Sequence, residues 1–298
     1  MTPIASRTIV WLTLPPLLWA GNAIVGRLMV GSVPPVTLNF LRWLLAALLL
    51  LPLGWRILRS TSPLWPRVRR FAGLGLFGFL SYNSLQYLAL QTSTPINVTL
   101  IAASMPVWML VVGRLRYGEK AGAAQLAGAL LSLLGVLLVI SRGSWHTLLQ
   151  VRLVPGDLYM LLAVILWSVY SWMLARPSDR SAQEWHWSEF LLAQIVFGVA
   201  WSGAATGLEL TFTDQRVQWS PAVAAALAYI AIGPSLIAYR CWGIGVAAVG
   251  PAIAAFFGNL TPVFAAVMSA ALLGEPPSWF HGAAFALIVL GIVVSSRR

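Results

Sequence analysis

Apolar runs long enough to cross hydrocarbon alternate along this chain with short polar connections. A helix needs about 20 predominantly apolar residues to span a bilayer. Runs of that order begin near Thr8, after Pro34-Pro35, and near Phe71, Thr94, Gly122, Asp157, Trp187, Pro221 and Pro251, and a last one ends near Ser295. Ten such spans consume the length and leave no separate soluble domain. Pro15-Pro16 in the first run and Gly233-Pro234 in the eighth remove helix hydrogen bonds, which predicts bends there. The third run is Gly-rich at Gly73, Gly75 and Gly78, a small-residue face suited to close helix contact. It then turns polar and aromatic through Ser81, Tyr82, Asn83, Ser84, Gln86 and Tyr87.

The pattern occurs twice. Residues 95–142 align without a gap on residues 251–298, so that Pro106 meets Pro262, Gly118-Glu119 meets Gly274-Glu275, and Leu134-Gly135 meets Leu290-Gly291. Near the start of each half, Leu18-Trp19-Ala20-Gly21-Asn22 corresponds to Leu166-Trp167-Ser168-Val169-Tyr170. A fixed self-similarity dictates architecture, here a first half over residues 1–142, a link over 143–156 and a second half over 157–298. Five spans per half is an odd number, so the second copy enters the membrane from the opposite side, giving an inverted repeat.

Composition agrees: at 59% hydrophobic and 9% charged residues, the chain cannot hide its apolar side chains in a soluble core. The net charge of +11 follows topology rather than nucleic-acid binding. With the amino terminus in the cytoplasm, the Arg56–Arg70 loop, Arg114, Arg116 and Lys120 lie inside, and only Arg27, Arg142, Arg152 and Arg216 lie near the other face. That bias places both termini in the cytoplasm. Residues 7–23 imitate a signal peptide, but cleavage would remove the first helix of the first half, so they are read as a span. One cysteine, Cys241, allows no intrachain disulfide, and three scattered histidines form no metal pattern.

Polar groups inside apolar runs are costly in hydrocarbon and point to a cavity. Asn22, Asn83, Gln86, Asn97, Ser104, Gln194, Asn259 and Thr261 meet that test; the competing reading is helix-to-helix hydrogen bonding. Aromatic residues inside the runs are the second signal: Trp19, Tyr82, Tyr87, Trp108, Trp167, Tyr170, Tyr239 and Trp242. Trp11, Trp43, Trp55, Trp65, Trp185, Trp187, Trp219 and Trp279 fit an interfacial belt instead. Trp19 and Trp167 are repeat-related near mid-span, which predicts two indoles facing each other and able to sandwich a flat solute. Arg42 and Arg240 are expensive where they stand and have no carboxylate at their depth. The lack of a mid-membrane acid favours passive transport. Protease, zinc and phosphate-loop motifs are absent, so no enzyme activity, cofactor or metal is expected.

Leu18-Trp19-Ala20-Gly21-Asn22, Pro34-Pro35 with Leu41-Arg42-Trp43, and the two Pro-Val to Gly-Glu hairpins together resemble the EamA family of the drug/metabolite transporter superfamily. The resemblance covers almost the whole chain. It implies an all-α polytopic membrane protein of ten transmembrane helices in two inverted five-helix repeats, in the bacterial inner membrane. It also implies a central cavity lined by helices one, three, four, six, eight and nine. Within the family the aromatic central helices look most like the YddG-type exporters of aromatic amino acids. Carried over by helix, the expected substrate-binding residues are Trp19, Asn22, Tyr82, Asn83, Gln86, Trp108, Trp167, Tyr239 and Asn259. The expected cargo is a small amphipathic metabolite, foremost an aromatic or other neutral amino acid, and a monomer is plausible. A carrier of cationic drugs or nucleotide sugars, a membrane enzyme and a noncatalytic assembly subunit stay open as alternatives.

Overall fold

The structure, a computed structural model, describes residues 5–93, 98, 101–141, 143–150, 154–175, 185–273 and 279–296. Pro95, Asn97, Gly274 and Glu275, which the repeat and the polar pattern singled out, lie outside them. Helical segments occupy all ten expected spans, and no strand occurs among the described residues. In the first half, α1 is Ser6–Leu28 and α2 is Pro35–Gly54; α3 joins Val68–Leu74, a π-helical stretch Gly75–Ser81 and Tyr82–Thr92; α4 includes Met105–Tyr117 and α5 is Ala123–Ile140. In the second half, α6 is Pro155–Ala175 and α7 is Trp187–Phe212; α8 joins Pro221–Ile230, a π-helical stretch Ala231–Ile237 and Ala238–Val249; α9 joins Pro251–Gly258 to Thr261–Leu273, and α10 is Trp279–Ser295. Five of the described helices are by themselves long and apolar enough to cross a bilayer.

The surface is apolar and the centre polar, the reverse of a soluble protein. Leu126, Leu130 and Leu134 make an exposed stripe on α5, and Phe285, Val289 and Val293 make one on α10. Asn22, Asn39, Arg42, Asn83, Gln86, Gln194 and Asn259 are buried. Between lipid and protein, apolar burial gives little drive, so close packing of small residues must hold the helices together.

The packing obeys a pseudo-twofold. Helix α5 packs along α10 and α2 along α7, each pairing equivalent helices, while α3 packs on α6 as α8 packs on α1. The crossing of α5 and α10 shows the symmetry atom by atom. A Cβ on Gly291 would lie 2.7 Å from the Gly128 carbonyl oxygen, and one on Gly135 would lie 2.8 Å from that of Ala284. Each of these contacts is the other displaced by the 156 positions that separate the repeats. Gly78 and Gly75, in the Gly-rich part of α3, likewise admit the Tyr170 ring and the backbone of Gly198, as the small-residue face predicted.

The repeat also governs where helices break. The π-helical stretch of α8 lies 156 positions after that of α3. Helix α4 loosens at Ala103-Ser104 and α9 at Asn259-Leu260, again equivalent positions, just before Pro106 and Pro262. By contrast, α1 stays helical through Pro15 and Pro16. At the end of α4, Gly118 takes φ +70°, and its N–H donates to the Arg114 carbonyl at 3.2 Å. This left-handed cap costs glycine no Cβ strain and starts the α4–α5 turn.

Helix α7 extends to Phe212. Its last turn carries Glu209, whose carboxylate accepts the amides of Val36 at 2.9 Å and Thr37 at 2.7 Å, and the Thr37 hydroxyl at 2.7 Å. Those amides belong to the first turn of α2, where helix N–H groups lack partners and the dipole favours an anion. Glu209 is therefore the N-terminal cap of α2.

Candidate functional site

The breaks converge on the centre of the bundle. In α8, Pro234 has no N–H to give the Ile230 carbonyl, and the Ser235 hydroxyl donates to that oxygen instead at 2.7 Å. The Trp19 indole N–H donates to the Pro234 carbonyl at 3.2 Å. At the equivalent place in α3, the Tyr239 hydroxyl donates to the Gly78 carbonyl at 2.6 Å, and the Asn39 amide donates to the Phe79 carbonyl at 2.9 Å. Broken backbone is tolerated at membrane depth only where such donors complete it. One donor at each break comes from the other half of the chain, Trp19 for α8 and Tyr239 for α3. Tyr239→Phe removes the donor to the Gly78 carbonyl and leaves the buried Asn83 amide without its acceptor. It should lower stability by about 1–3 kcal/mol in thermal unfolding, whereas Tyr82→Phe, whose hydroxyl has no bond among the described residues, should change stability little.

Beside these breaks lies a midplane cavity of about 60 Å³, lined by Trp19, Asn22, Tyr82, Asn83, Gln86, Met105, Asn259 and Thr261 among others. Three pairs in its wall are repeat equivalents from the interruptions of α4 and α9: Ala102 with Gly258, Ala103 with Asn259, and Met105 with Thr261. The volume admits a few water molecules, and an aromatic amino acid would need the helices to part.

One aromatic layer closes the cavity toward the face that carries the amino terminus. Trp19 and Trp167 meet edge to face with centroids 5.4 Å apart. Trp167 also lies 5.1 Å from Tyr82, 5.0 Å from Tyr170 and 5.4 Å from Tyr239, and Trp242 lies 5.4 Å from Trp19. Each such pair contributes about 0.5–1.5 kcal/mol beyond area burial. Beyond the layer, a vestibule of about 410 Å³ is lined by Tyr170, Gln194, Tyr239, Trp185, Trp187 and Arg240 among others. Tyr239 thus forms wall on the vestibule side, while Asn83 donates to its hydroxyl from the cavity side at 3.0 Å. The hydrogen-bonded pair Asn83 and Tyr239 separates the two spaces there. A larger depression of about 830 Å³ opens on the same face between the α4–α5 and α8–α9 turns; it holds none of the central polar groups.

Of the nine residues expected from the sequence, six line the cavity: Trp19, Asn22, Tyr82, Asn83, Gln86 and Asn259. Trp167 and Tyr239 stand in the aromatic layer. Trp108 is half-buried on α4 and lines neither space. The two indoles do face each other, yet they touch directly and leave no slot between them for a flat solute. Trp43 departs from the belt expectation: it is fully buried, 4.4 Å from Phe79 and 4.8 Å from Tyr239, with the Arg42 guanidinium 5.0 Å from its ring. Trp55, Trp65, Trp219 and Trp279 are exposed, as a belt requires. Gln194 accepts from the Tyr170 hydroxyl at 3.1 Å and donates to the Phe190 carbonyl at 3.1 Å, so it serves helix contact. Arg240 sits 4.1 Å from the Trp187 ring at the vestibule mouth.

The sequence pattern undervalued Arg42. It is fully buried, its Nε donates to the Ser235 hydroxyl at 2.8 Å, and its Nη1 donates to Asn83 Oδ1 at 2.7 Å and the Tyr87 hydroxyl at 3.1 Å. A cation in an apolar run with no acid at its depth was the available signal.

The family model of the EamA-like transporters matches residues 6–141 and 154–297. An uncharacterized transporter of Archaeoglobus fulgidus is 27% identical over 98% of this chain and 98% of its own. An aromatic amino acid exporter of Ancylobacter novellus, YddG, is 26% identical over 94% of this chain and 93% of its own. The uncharacterized inner membrane transporter YedA of Escherichia coli K12 is 26% identical over 93% and 87%. A crystal structure 24% identical in sequence superposes with a TM-score of 0.73, covering 99% of this chain and all of that one, which shows the same fold.

Proposed function

The chain belongs to the EamA-like transporter family, and from that premise we propose that it exports aromatic and other neutral amino acids, or closely similar amphipathic metabolites, from the cytoplasm. A membrane transporter rather than an enzyme is what the family establishes; the cargo is our reading. The observation that carries it is the polar midplane cavity with an aromatic wall, separated by one layer of rings from a vestibule on the opposite side. Rings supply apolar area and faces that attract an ammonium group, and the amides of Asn22, Asn83 and Gln86 supply hydrogen bonds. The similarity to an exporter named for aromatic amino acids supports the same cargo class.

In this reading the first half is residues 1–142 and the second 157–298, joined by 143–156. Both termini face the cytoplasm of a bacterial inner membrane, and the vestibule is the loading side. Alternating access comes from rocking the two halves about the central axis, with the paired breaks in α3 and α8 and in α4 and α9 as the bending points. The carboxylates with a described role lie at helix ends: Glu209 caps α2, Glu189 caps α7, and Asp157 at the start of α6 accepts from Ser93. Transport is then facilitative. Purified protein in liposomes preloaded with phenylalanine should take up labelled phenylalanine and tryptophan by counterflow at equal rates at two pH values. Failure of every aromatic and neutral amino acid to exchange would overturn the cargo, and rates that track a pH gradient would overturn facilitative transport.

A further inference from the structure

Among the described residues Arg42 is the one fully buried cation, and none of its hydrogen bonds goes to a carboxylate. A guanidinium keeps its charge at any pH a cell meets. Ser235, Asn83, Tyr87 and Asn22 satisfy its donors without neutralising it, and its Nη2 is buried with no partner among the described residues. An unneutralised charge in a membrane interior is retained at a high cost. Arg42 also sets what its neighbours show to the cavity. Because a guanidinium only donates, the Asn83 and Asn22 side chains must turn their carbonyl oxygens toward it, at 2.7 and 3.5 Å. The Tyr87 hydroxyl donates to the same Asn22 oxygen at 2.9 Å. What Asn22 keeps for the cavity is its NH₂ group. Two further sources of positive potential adjoin the same space, since Met105–Tyr117 and Thr261–Leu273 begin at its wall with their amino ends, which carry the positive pole of the helix dipole.

We propose that Arg42 is the fixed counter-charge of the cargo site and that the cargo must carry a carboxylate. The carboxylate lies at the Asn22–Asn83 end of the cavity, one side chain from Arg42, with its apolar portion against Trp19 and Tyr82. The inference deepens the exporter reading and rests on it. Arg42 is a positioning and charge-matching residue that acts across Asn22 and Asn83.

The test uses the full-length protein in liposomes and four probes of one shape: phenylalanine, phenylpropionate, phenylalanine amide and phenethylamine. Phenylalanine and phenylpropionate should exchange or compete, and the two probes without a carboxylate should be weaker by about tenfold or more, the effect of a unit charge at partly buried distance. Asn83→Asp puts a carboxylate against Arg42 and keeps that residue paired, so folding is retained. It should weaken phenylalanine by about tenfold, leave phenethylamine unweakened, and so erase the discrimination. If the amide and the amine exchange as well as the acids in the native protein, or if Asn83→Asp keeps the preference, the counter-charge is overturned and the exporter reading survives. If none of the four moves or competes, the exporter reading itself fails for this cargo, and the counter-charge falls with it.

Discussion

Trp167→Ala should abolish most transport. The indole is 1% exposed and its ring packs against Trp19, Tyr82, Tyr170, Tyr239 and Trp242. Truncating it removes the central piece of the layer between cavity and vestibule. Loss of a buried tryptophan costs about 3–5 kcal/mol of stability when the surroundings relax only in part, so the unfolding midpoint should fall clearly. Losing its edge-to-face contact also frees the Trp19 ring, which does line the cavity, and about 1.4 kcal/mol of lost positioning there corresponds to a tenfold loss of affinity. Counterflow should drop by at least that factor, and a cysteine placed at Asn22 should become reactive from the vestibule side because the layer no longer covers the cavity. Trp167→Phe keeps a ring in place and should recover most of the stability. Unchanged reactivity in the truncated protein would mean that the layer is packing and not a gate.

Gly128→Ala and Gly291→Ala should injure the protein to the same degree. A Cβ on Gly128 would stand 2.6 Å from the Gly291 carbonyl oxygen, and one on Gly291 would stand 2.7 Å from that of Gly128. In both, the obstacle is backbone, which cannot rotate aside as a side chain end can. Helices α5 and α10 must separate, and overpacking of this kind costs about 1–3 kcal/mol or more. With no apolar drive between helices in lipid, little else restores the contact. Gly122→Ala, where an added Cβ meets nothing within 4 Å, is the control and should be neutral. Thermal unfolding in detergent measures all three; a tolerated Gly128→Ala would show that this crossing does not hold the bundle together.

The ten spans, the 156-residue displacement and the weak point at Gly233-Pro234 were legible because each is a one-dimensional pattern: apolar length, repeated Pro and Gly, a missing N–H. Six cavity residues could be named for the same reason, since a polar side chain in an apolar run has few places to go. The rest depends on which face of a helix looks inward. Trp43 and Trp108 are both aromatic and both inside apolar runs, yet Trp43 is core beside Arg42 and Trp108 stands away from the cavity. With apolar residues on every side of each helix, periodicity does not separate the lipid face from the protein face. Asn39 illustrates a second limit. It lies in the apolar run of α2, and its task, donating to the Phe79 carbonyl of a helix forty residues on, exists only once α3 widens into its π-helical stretch.

Asn83 and Tyr239 are repeat equivalents that bond to each other, so they sit astride the pseudo-twofold. In an assembly of two identical subunits, a residue on the axis can only greet its own twin, and every bond made there must be made by like with like. Two unlike halves in one chain escape that restriction. Here one equivalent is an amide and the other a phenol, so one gives a hydrogen bond, the other receives it and gives its own to Gly78. A pair of identical first halves would put Asn83 opposite Asn83, and the phenol that donates to the Gly78 carbonyl would have no source; the centre requires two unlike halves.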